Sequence, residues 1–453
     1  MKPAISPRMS QPMIDMFRSR SLRGRPLQGG CHIGNKRAGR LGLPYGSHKA
    51  GRTSVGLSHG YLRVRPPRCV RGCRSGKPSH SSGLPAFGVW KSALHSRDAR
   101  VCLLRGGAGP CDPPAMRTAF IGAYGYGNLG DELCLIEAMQ EFPPGEPPSG
   151  GAFAFTQNPA WTNRCVPGLA GTFATLEEML ALDPQRVVYG GGGIGGRADF
   201  EEYLPWMAAA LDRGIPVHVH NIGIARIAGA GMEYGPGEGW PHPLLGRVLE
   251  NLASFTVRDH RSVDMVAEWG VPVVPGVTRY PERAIAAEGD LAEAILPRGR
   301  KLLGISIINT NQMARCLEAD GGTVRTLLAR FPDHAVVPIC STLHVDSDEE
   351  DDGSGFHRFA GMFLGDREIV APQLTERGFW GSEVTPRRLK GIIARLDTLV
   401  SQRKHNCIHG LGAGVPTIGL SPMEDDSVRR VFVTLANQLP AGSACIGLEE
   451  HPG

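Results

Sequence analysis

From Thr118 onward, short apolar runs alternate with stretches in which apolar residues recur every three or four positions. The runs Thr118 to Ile121, Ala152 to Phe155, Val187 to Tyr189, Val217 to Ile222, Phe255 to Val257 and Val271 to Val274 predict β-strands, and the patterns around 131–141, 176–182, 200–213, 243–253 and 260–269 predict helices between them. Strands this short and apolar, separated by helices, form a parallel sheet covered on both faces. A second series starts at Leu302 to Ile308 and continues through Ala335 to Ile339, Glu368 to Val370, Thr398 to Ser401 and Thr417 to Leu420. A polar stretch containing proline and glycine, Gly276 to Arg300, lies between the two series. The predicted fold is therefore α/β, with two doubly wound Rossmann-like domains, 116–297 and 298–453, facing a cleft. In such a pair, ligands sit at the carboxyl ends of the strands.

Residues 1–115 carry no sustained period, and their composition differs from the rest. They hold 21 Lys plus Arg against three acidic residues, a charge of +18, whereas 116–453 holds 28 basic and 41 acidic residues, a charge of −13. A segment rich in Arg, Gly, Ser and Pro cannot bury enough apolar surface to offset its chain entropy, so disorder is expected. A nucleic-acid-binding tail and an Arg-rich transit peptide are two readings of it. The favoured reading is an extension outside the working protein, because a strand opens directly after Met116. No nucleic-acid partner is expected for 116–453.

Other signals narrow the class. No apolar run reaches the ~18 residues of a membrane span, and residues 1–30 lack the apolar region of a secretory signal. A cytoplasmic location is expected. Cys69 and Cys73 form a C-x3-C pair without a second pair at ligand spacing, and Cys134, Cys165, Cys316, Cys340, Cys407 and Cys445 are scattered, as small buried hydrophobes in a reducing compartment are. No metal site is predicted. The acidic run Asp346 to Asp352 nearly fits a calcium loop, but its twelfth position falls on Phe359, so a solvated acidic loop is expected.

Candidate chemistry lies at the predicted strand ends. Gly122 to Glu132 links the first strand to a helix with glycine at every tight place, which suggests backbone N–H groups aimed at an anion and aided by the helix N-terminus. Gly190 to Gly196 follows the third strand in the same manner. Arg258 ends a strand ahead of Asp259 and Ser262; it is either aimed into the cleft or paired with a nearby acid. Arg403 and His405 leave another strand two residues apart, so on extended backbone both side chains share a face. A guanidinium and an imidazole together bind an anion and move a proton, although a structural role is equally open to each.

In this order, Gly-Tyr-Gly-Asn-Leu-Gly-Asp-Glu (125–132), Gly-Gly-Gly (191–193), Thr-Val-Arg-Asp with Ser262, and Arg-Lys-His followed by Gly-Val-Pro-Thr-Ile (414–418) resemble the polysaccharide pyruvyl transferase family. The resemblance spans roughly 116 to 425. It implies a fold like that of GT-B glycosyltransferases, and transfer of an enolpyruvyl group from phosphoenolpyruvate to sugar hydroxyls, leaving a cyclic pyruvate ketal. It further implies Arg258 and Arg403 as donor-binding residues and His405 as general acid. Substrate contacts are expected from Gly125, Gly127, Asn128, Gly130, Asp131, Gly191, Gly192, Gly193 and Lys404. With phosphoenolpyruvate as donor substrate, no cofactor or metal is expected. The saccharide partner is expected in a polysaccharide or in membrane-bound glycan precursors met peripherally.

That chemistry suits the residues. Bidentate Arg groups clamp a carboxylate and a phosphate. A histidine of ordinary pKa, ~6.5, protonates the methylene carbon at neutral pH. The chain departs from the family pattern at Lys404, where leucine is usual, at Gly276, where an Asp is usual, and at Ser421 to Glu424, where a Tyr and a Lys are common.

Two rival classes remain. Gly125, Gly127 and Gly130 spell G-x-G-x-x-G, but the second strand ends in Phe155-Thr-Gln-Asn158 without the acid that binds a dinucleotide's ribose. A GT-B glycosyltransferase using a nucleotide-sugar donor is the nearer alternative.

Overall fold

The computed structural model describes residues 116–145, 150–192, 197–224, 242–343, 351–422 and 426–448. All belong to one compact unit, Ser96–Gly453. The basic segment 1–115 lies outside the described residues.

Twelve strands form two parallel sheets. The first contains β1 (Arg117–Ile121), β2 (Gly151–Phe155), β3 (Leu169–Phe173), β4 (Arg186–Gly190), β5 (Val217–Ile222), β6 (Ser254–Val257) and β7 (Gly276–Val277), in the order β3-β2-β1-β4-β5-β6-β7. The second contains β8 (Leu302–Ser306), β9 (Ala335–Pro338), β10 (Thr398–Ser401), β11 (Thr417–Ser421) and β12 (Ala444–Gly447), in the order β12-β11-β10-β8-β9. Both are doubly wound. Strand order reverses between β1 and β4 in one sheet and between β8 and β10 in the other, and each reversal opens a crevice at the carboxyl ends of the strands.

Three departures from the expected elements have local causes. Val271 to Val274 is not a strand, and Val274 is 85% exposed. Pro272 and Pro275 remove two ladder donors, so pairing is delayed to the two-residue β7. Glu368 to Val370 contributes only an isolated bridge from Ile369 to Val336 before Pro372 turns the chain. Conversely, β3 and β12 were not expected, because as short, half-exposed edge strands they carry only brief or interrupted apolar patterns.

The two domains share one core. Phe120, Leu133 and Ile136 of the first pack in the same cluster as Leu302, Val337, Leu389 and Ile393 of the second. Trp161 stacks on Trp380 at 4.8 Å and 15°, and Arg164 lies 4.6 Å over Trp161 while its Nη1 donates to Val384 O at 3.0 Å. Near the switch points, Leu129 N donates to Ser341 O at 2.9 Å and Leu343 N to Gly127 O at 3.1 Å, pairing Asn128 with Thr342 as an antiparallel bridge. Cys134, Cys165, Cys316, Cys340 and Cys407 are buried thiols outside any disulfide. Among the described residues, no helix is long and apolar enough to cross a membrane.

Candidate active site

Several backbone N–H groups of the glycine loop after β1 are taken up within the protein. The loop is buried against the second domain, and a buried N–H requires an acceptor. The sequence supplies them locally. Gly125 N donates to Glu132 Oε1 at 2.7 Å, Gly130 N donates to Asn128 Oδ1 at 3.0 Å, and the N–H groups of Asp131 and Glu132 turn back to Asn128 O. Asn128 thus caps the helix Leu129–Glu141, while Glu132 also accepts from Trp161 Nε1 at 3.1 Å. Burial drives the Glu132 pKa up to about 8.

What the glycines provide is space for side chains. A Cβ on Gly130 would stand 1.9 Å from His405 Nδ1, and one on Gly192 would stand 2.0 Å from Asp131 Oδ1. Gly191, at φ +86°, leaves room for the Cys134 Cβ at 2.7 Å. Gly223 does the same for Arg258, whose Nε would lie 2.0 Å from an added Cβ. Gly125 (φ +85°) and Gly127 (φ +82°) make the loop's left-handed turns. Gly193 lies outside the described residues.

Arg258 follows β6 directly. It is 2% exposed, its guanidinium lies 6.0 Å from the centre of the Tyr280 ring, and its buried Nη1 has no hydrogen-bond partner. Asp259 instead caps the helix His260–Glu268, accepting from Ser262 N at 2.7 Å. The alternative of a local Arg258 and Asp259 pair therefore gives way to a cation aimed inward.

Arg403 and His405 do not share a face of an extended strand. β10 stops at Ser401, whose Oγ accepts from Arg403 N at 3.0 Å and thereby turns the chain into the helix Lys404–Gly412. Arg403 is the capping position of that helix. Its Nε donates to Asp352 Oδ1 at 2.6 Å, and Asp352 also accepts from Ser341 N at 2.9 Å and Thr342 N at 3.1 Å. Asp351 and Asp352 are consequently not part of a solvated acidic loop: Asp352 is fully buried, and Asp351 caps the helix Asp352–Phe363 and pairs with Arg377 at 2.6 Å. Residues 344–350 lie outside the described residues.

His405, in the first turn of its helix, faces the first domain through the gap at Gly130. It is 7% exposed, stacks at 6.5 Å on His409, and its Nε2 is buried without a hydrogen-bond partner. Asn406 ties the helix start to β8, donating to Ser306 Oγ at 2.7 Å. Burial, reinforced by the charges of Lys404 and Arg258, holds the His405 pKa well below the usual histidine value. The expectation of an ordinary pKa is therefore corrected: without a bound anion, His405 is neutral at neutral pH. Lys404 is pulled down to about 7 by burial and then by Arg258, against the opposing pull of Asp131, Cys134 and Glu282.

Two residues at this site escaped sequence analysis. Cys134 and Glu282 each present a ligand-type atom within 4.8 Å of the other and of His405. Glu282 sits in the polar stretch between the two strand series, and its Oε2 accepts from Asn221 Nδ2 at 2.9 Å. Only the Gly-Gly-Gly and Arg-Lys-His motifs gave a signal nearby, and neither points to an acid in a connecting segment. The trio has the donor types of a metal site, but Arg258 and Lys404 border the same space. Their positive charge fits an anionic ligand there and opposes a divalent cation.

Arg258, after β6 of the first sheet, and Lys404 and His405, after β10 of the second, bring cationic and imidazole groups together between two Rossmann-like domains. The chain belongs to the polysaccharide pyruvyl transferase family, whose model matches residues 128–422. No curated protein matches the chain in sequence. Among solved structures, a UDP-GlcNAc 2-epimerase from Methanocaldococcus jannaschii is similar at 10% identity, covering 74% of this chain and 90% of that one with a TM-score of 0.44. The Escherichia coli ADP-heptose lps heptosyltransferase II is similar at 13% identity, covering 73% and 90% with a TM-score of 0.34.

Proposed function

We propose that the enzyme moves a pyruvyl group from phosphoenolpyruvate to two hydroxyls of a saccharide in a polysaccharide or glycolipid precursor, leaving a pyruvate ketal. The observation that supports this most directly is the pair of buried, unpartnered nitrogens, Arg258 Nη1 and His405 Nε2, contributed by opposite domains. A buried polar atom without a partner is costly, and an oxyanion brought between the domains satisfies both.

In this scheme Arg258 and Lys404 take the carboxylate and phosphate, with Arg403 held beside them by Asp352. The donor's negative charge reverses the field that keeps His405 neutral, so the imidazole gains a proton as the donor binds. His405 then protonates the methylene carbon, a sugar hydroxyl adds to carbon 2, and the second hydroxyl displaces phosphate. No step changes the overall oxidation state, so phosphoenolpyruvate is the only co-substrate the scheme requires. A cytoplasmic setting, with the acceptor on a membrane-bound precursor, matches where such a donor is made.

The test is a thermal-shift comparison on the full chain. Millimolar phosphoenolpyruvate is expected to raise the melting temperature and a UDP-sugar to leave it unchanged, with phosphate released when a suitable glycoside is added. Protection by the UDP-sugar alone would instead select a nucleotide-sugar glycosyltransferase.

A further inference from the structure

We propose that Glu282 is the base that takes the proton from the attacking acceptor hydroxyl; the assignment rests on the donor chemistry proposed above. Glu282 is fully buried, in a short 3-10 turn, Pro281–Ala284. One carboxylate oxygen is held and the other is not. Oε2 accepts from Asn221 Nδ2 at 2.9 Å, Asn221 is itself fixed by Thr278 Oγ1 at 2.7 Å, and Oε1 is buried with no hydrogen-bond partner. Its carboxylate and the His405 ring approach within 4.8 Å. Groups this close can act on one bound substrate.

The surroundings hold this carboxylate in place at a cost. Arg279 and Tyr280 adopt consecutive left-handed conformations, at φ +60° and +59°, and Asn221 is left-handed at φ +51°. Strained backbone persists only where neighbours overdetermine it, and it gathers at functional sites. The neighbour here is Lys390 of the second domain, whose buried ammonium donates to the carbonyls of Glu282, Arg283 and Ile285. Other acids nearby are engaged elsewhere. Glu137 pairs with His220 Nε2 at 2.9 Å, Asp259 caps the helix His260–Glu268, and Asp131 lies against Gly192.

In the addition step, the acceptor oxygen forms a bond to donor carbon 2 while its O–H bond breaks and the proton passes to Glu282 Oε1. The π pair between carbons 2 and 3 takes the proton from His405 and becomes the new C–H bond. One proton leaves the imidazolium and one arrives at the carboxylate, with nothing oxidised or reduced. Base and acid thus stand on either side of the forming bond.

Glu282→Gln in the full chain tests the assignment, since glutamine keeps the oxygen that Asn221 needs. Removing a buried negative charge beside an anionic donor is expected to tighten phosphoenolpyruvate binding about fivefold or more. Phosphate release with a panel of aryl glycosides should fall about 100-fold. A folded variant with unchanged donor affinity, or with turnover within threefold of wild type, overturns the proposal. If Glu282→Gln fails to fold, Glu282→Asp, which withdraws the carboxylate but keeps its charge, should lose about tenfold in turnover with donor affinity near wild type; wild-type turnover in that variant overturns it as well. Wild-type protein that does not bind phosphoenolpyruvate sinks the donor reading itself, a result distinct from equal binding by wild type and variant.

Discussion

The two halves of the site are built by opposite means. The first-domain half includes a loop in which the N–H groups of Gly125, Gly130 and Leu129 are taken up by Glu132, Asn128 and the Ser341 carbonyl, and whose glycines are gaps into which side chains fit. The second-domain half is the start of one helix, Lys404–Gly412, that carries Arg403, Lys404 and His405 on consecutive residues. The loop gives room and the helix start gives charge, to which Arg258 adds a cation from the first domain. A glycine-rich strand-to-helix loop therefore need not be an anion cradle. Where a second domain closes over it, the absence of Cβ atoms matters more than the presence of N–H groups.

The comparison breaks hardest at His405. His405→Ala should cut phosphate release about 10³-fold, the scale of a lost proton donor, while phosphoenolpyruvate affinity from titration calorimetry stays near wild type. Arg258→Ala should do the reverse, weakening donor binding by about 30-fold or more because it removes a buried cation with an open donor. Equal activity in either variant would remove that side chain from the chemistry.

Gly130→Ala tests the claim that this half of the site supplies space. Its Cβ would fall 1.9 Å from His405 Nδ1, far inside contact distance, so the imidazole or the interdomain pairing must shift. A loss of about 2 kcal/mol in denaturant unfolding is expected, together with loss of turnover. Combining it with His405→Ala should recover most of the stability but none of the turnover. A Gly130→Ala protein as stable and active as wild type would return the loop to a backbone-binding role.

The second-domain half depends on a buried pair. Asp352 is fully buried and accepts from Arg403 Nε at 2.6 Å, so Asp352→Asn leaves a guanidinium without its counter-charge. About 3 kcal/mol of stability should be lost, with His405 displaced through the shared helix start. Asp352 also shows where sequence analysis stopped short. The alternating pattern gave both sheets, because central parallel strands such as β1, β4, β8 and β10 are largely apolar and buried along nearly all their length. The edge strands β3 and β12 were missed because only part of each is buried. Arg258 and His405 were legible as motifs at strand ends. Asp352 was not, since a run of acids looks the same whether it is solvated or folded inward onto Arg403. Nor was Glu282, which reaches the site from a segment between domains that no local period marks. The approach of both depends on tertiary packing, which leaves no trace in spacing.

The smallest expected effect concerns Lys404, the residue at which the chain departs from the usual leucine. Its pKa is pulled down to about 7 from 10.5, chiefly by burial and then by Arg258. Between those values the unfolded chain holds a proton that the folded chain has released, so stability should rise with pH across this window. Donor affinity should move the other way, because an ammonium attracts the anionic donor and a neutral amine does not. The result is a several-fold weakening of phosphoenolpyruvate binding as pH climbs through about 7. Lys404→Leu, the residue usual in the family, should bind the donor more weakly below that pH and show a flat profile above it. If the profile of Lys404→Leu matches wild type, Lys404 does not contribute to donor binding, and the charge supplied by the helix start comes from Arg403 alone.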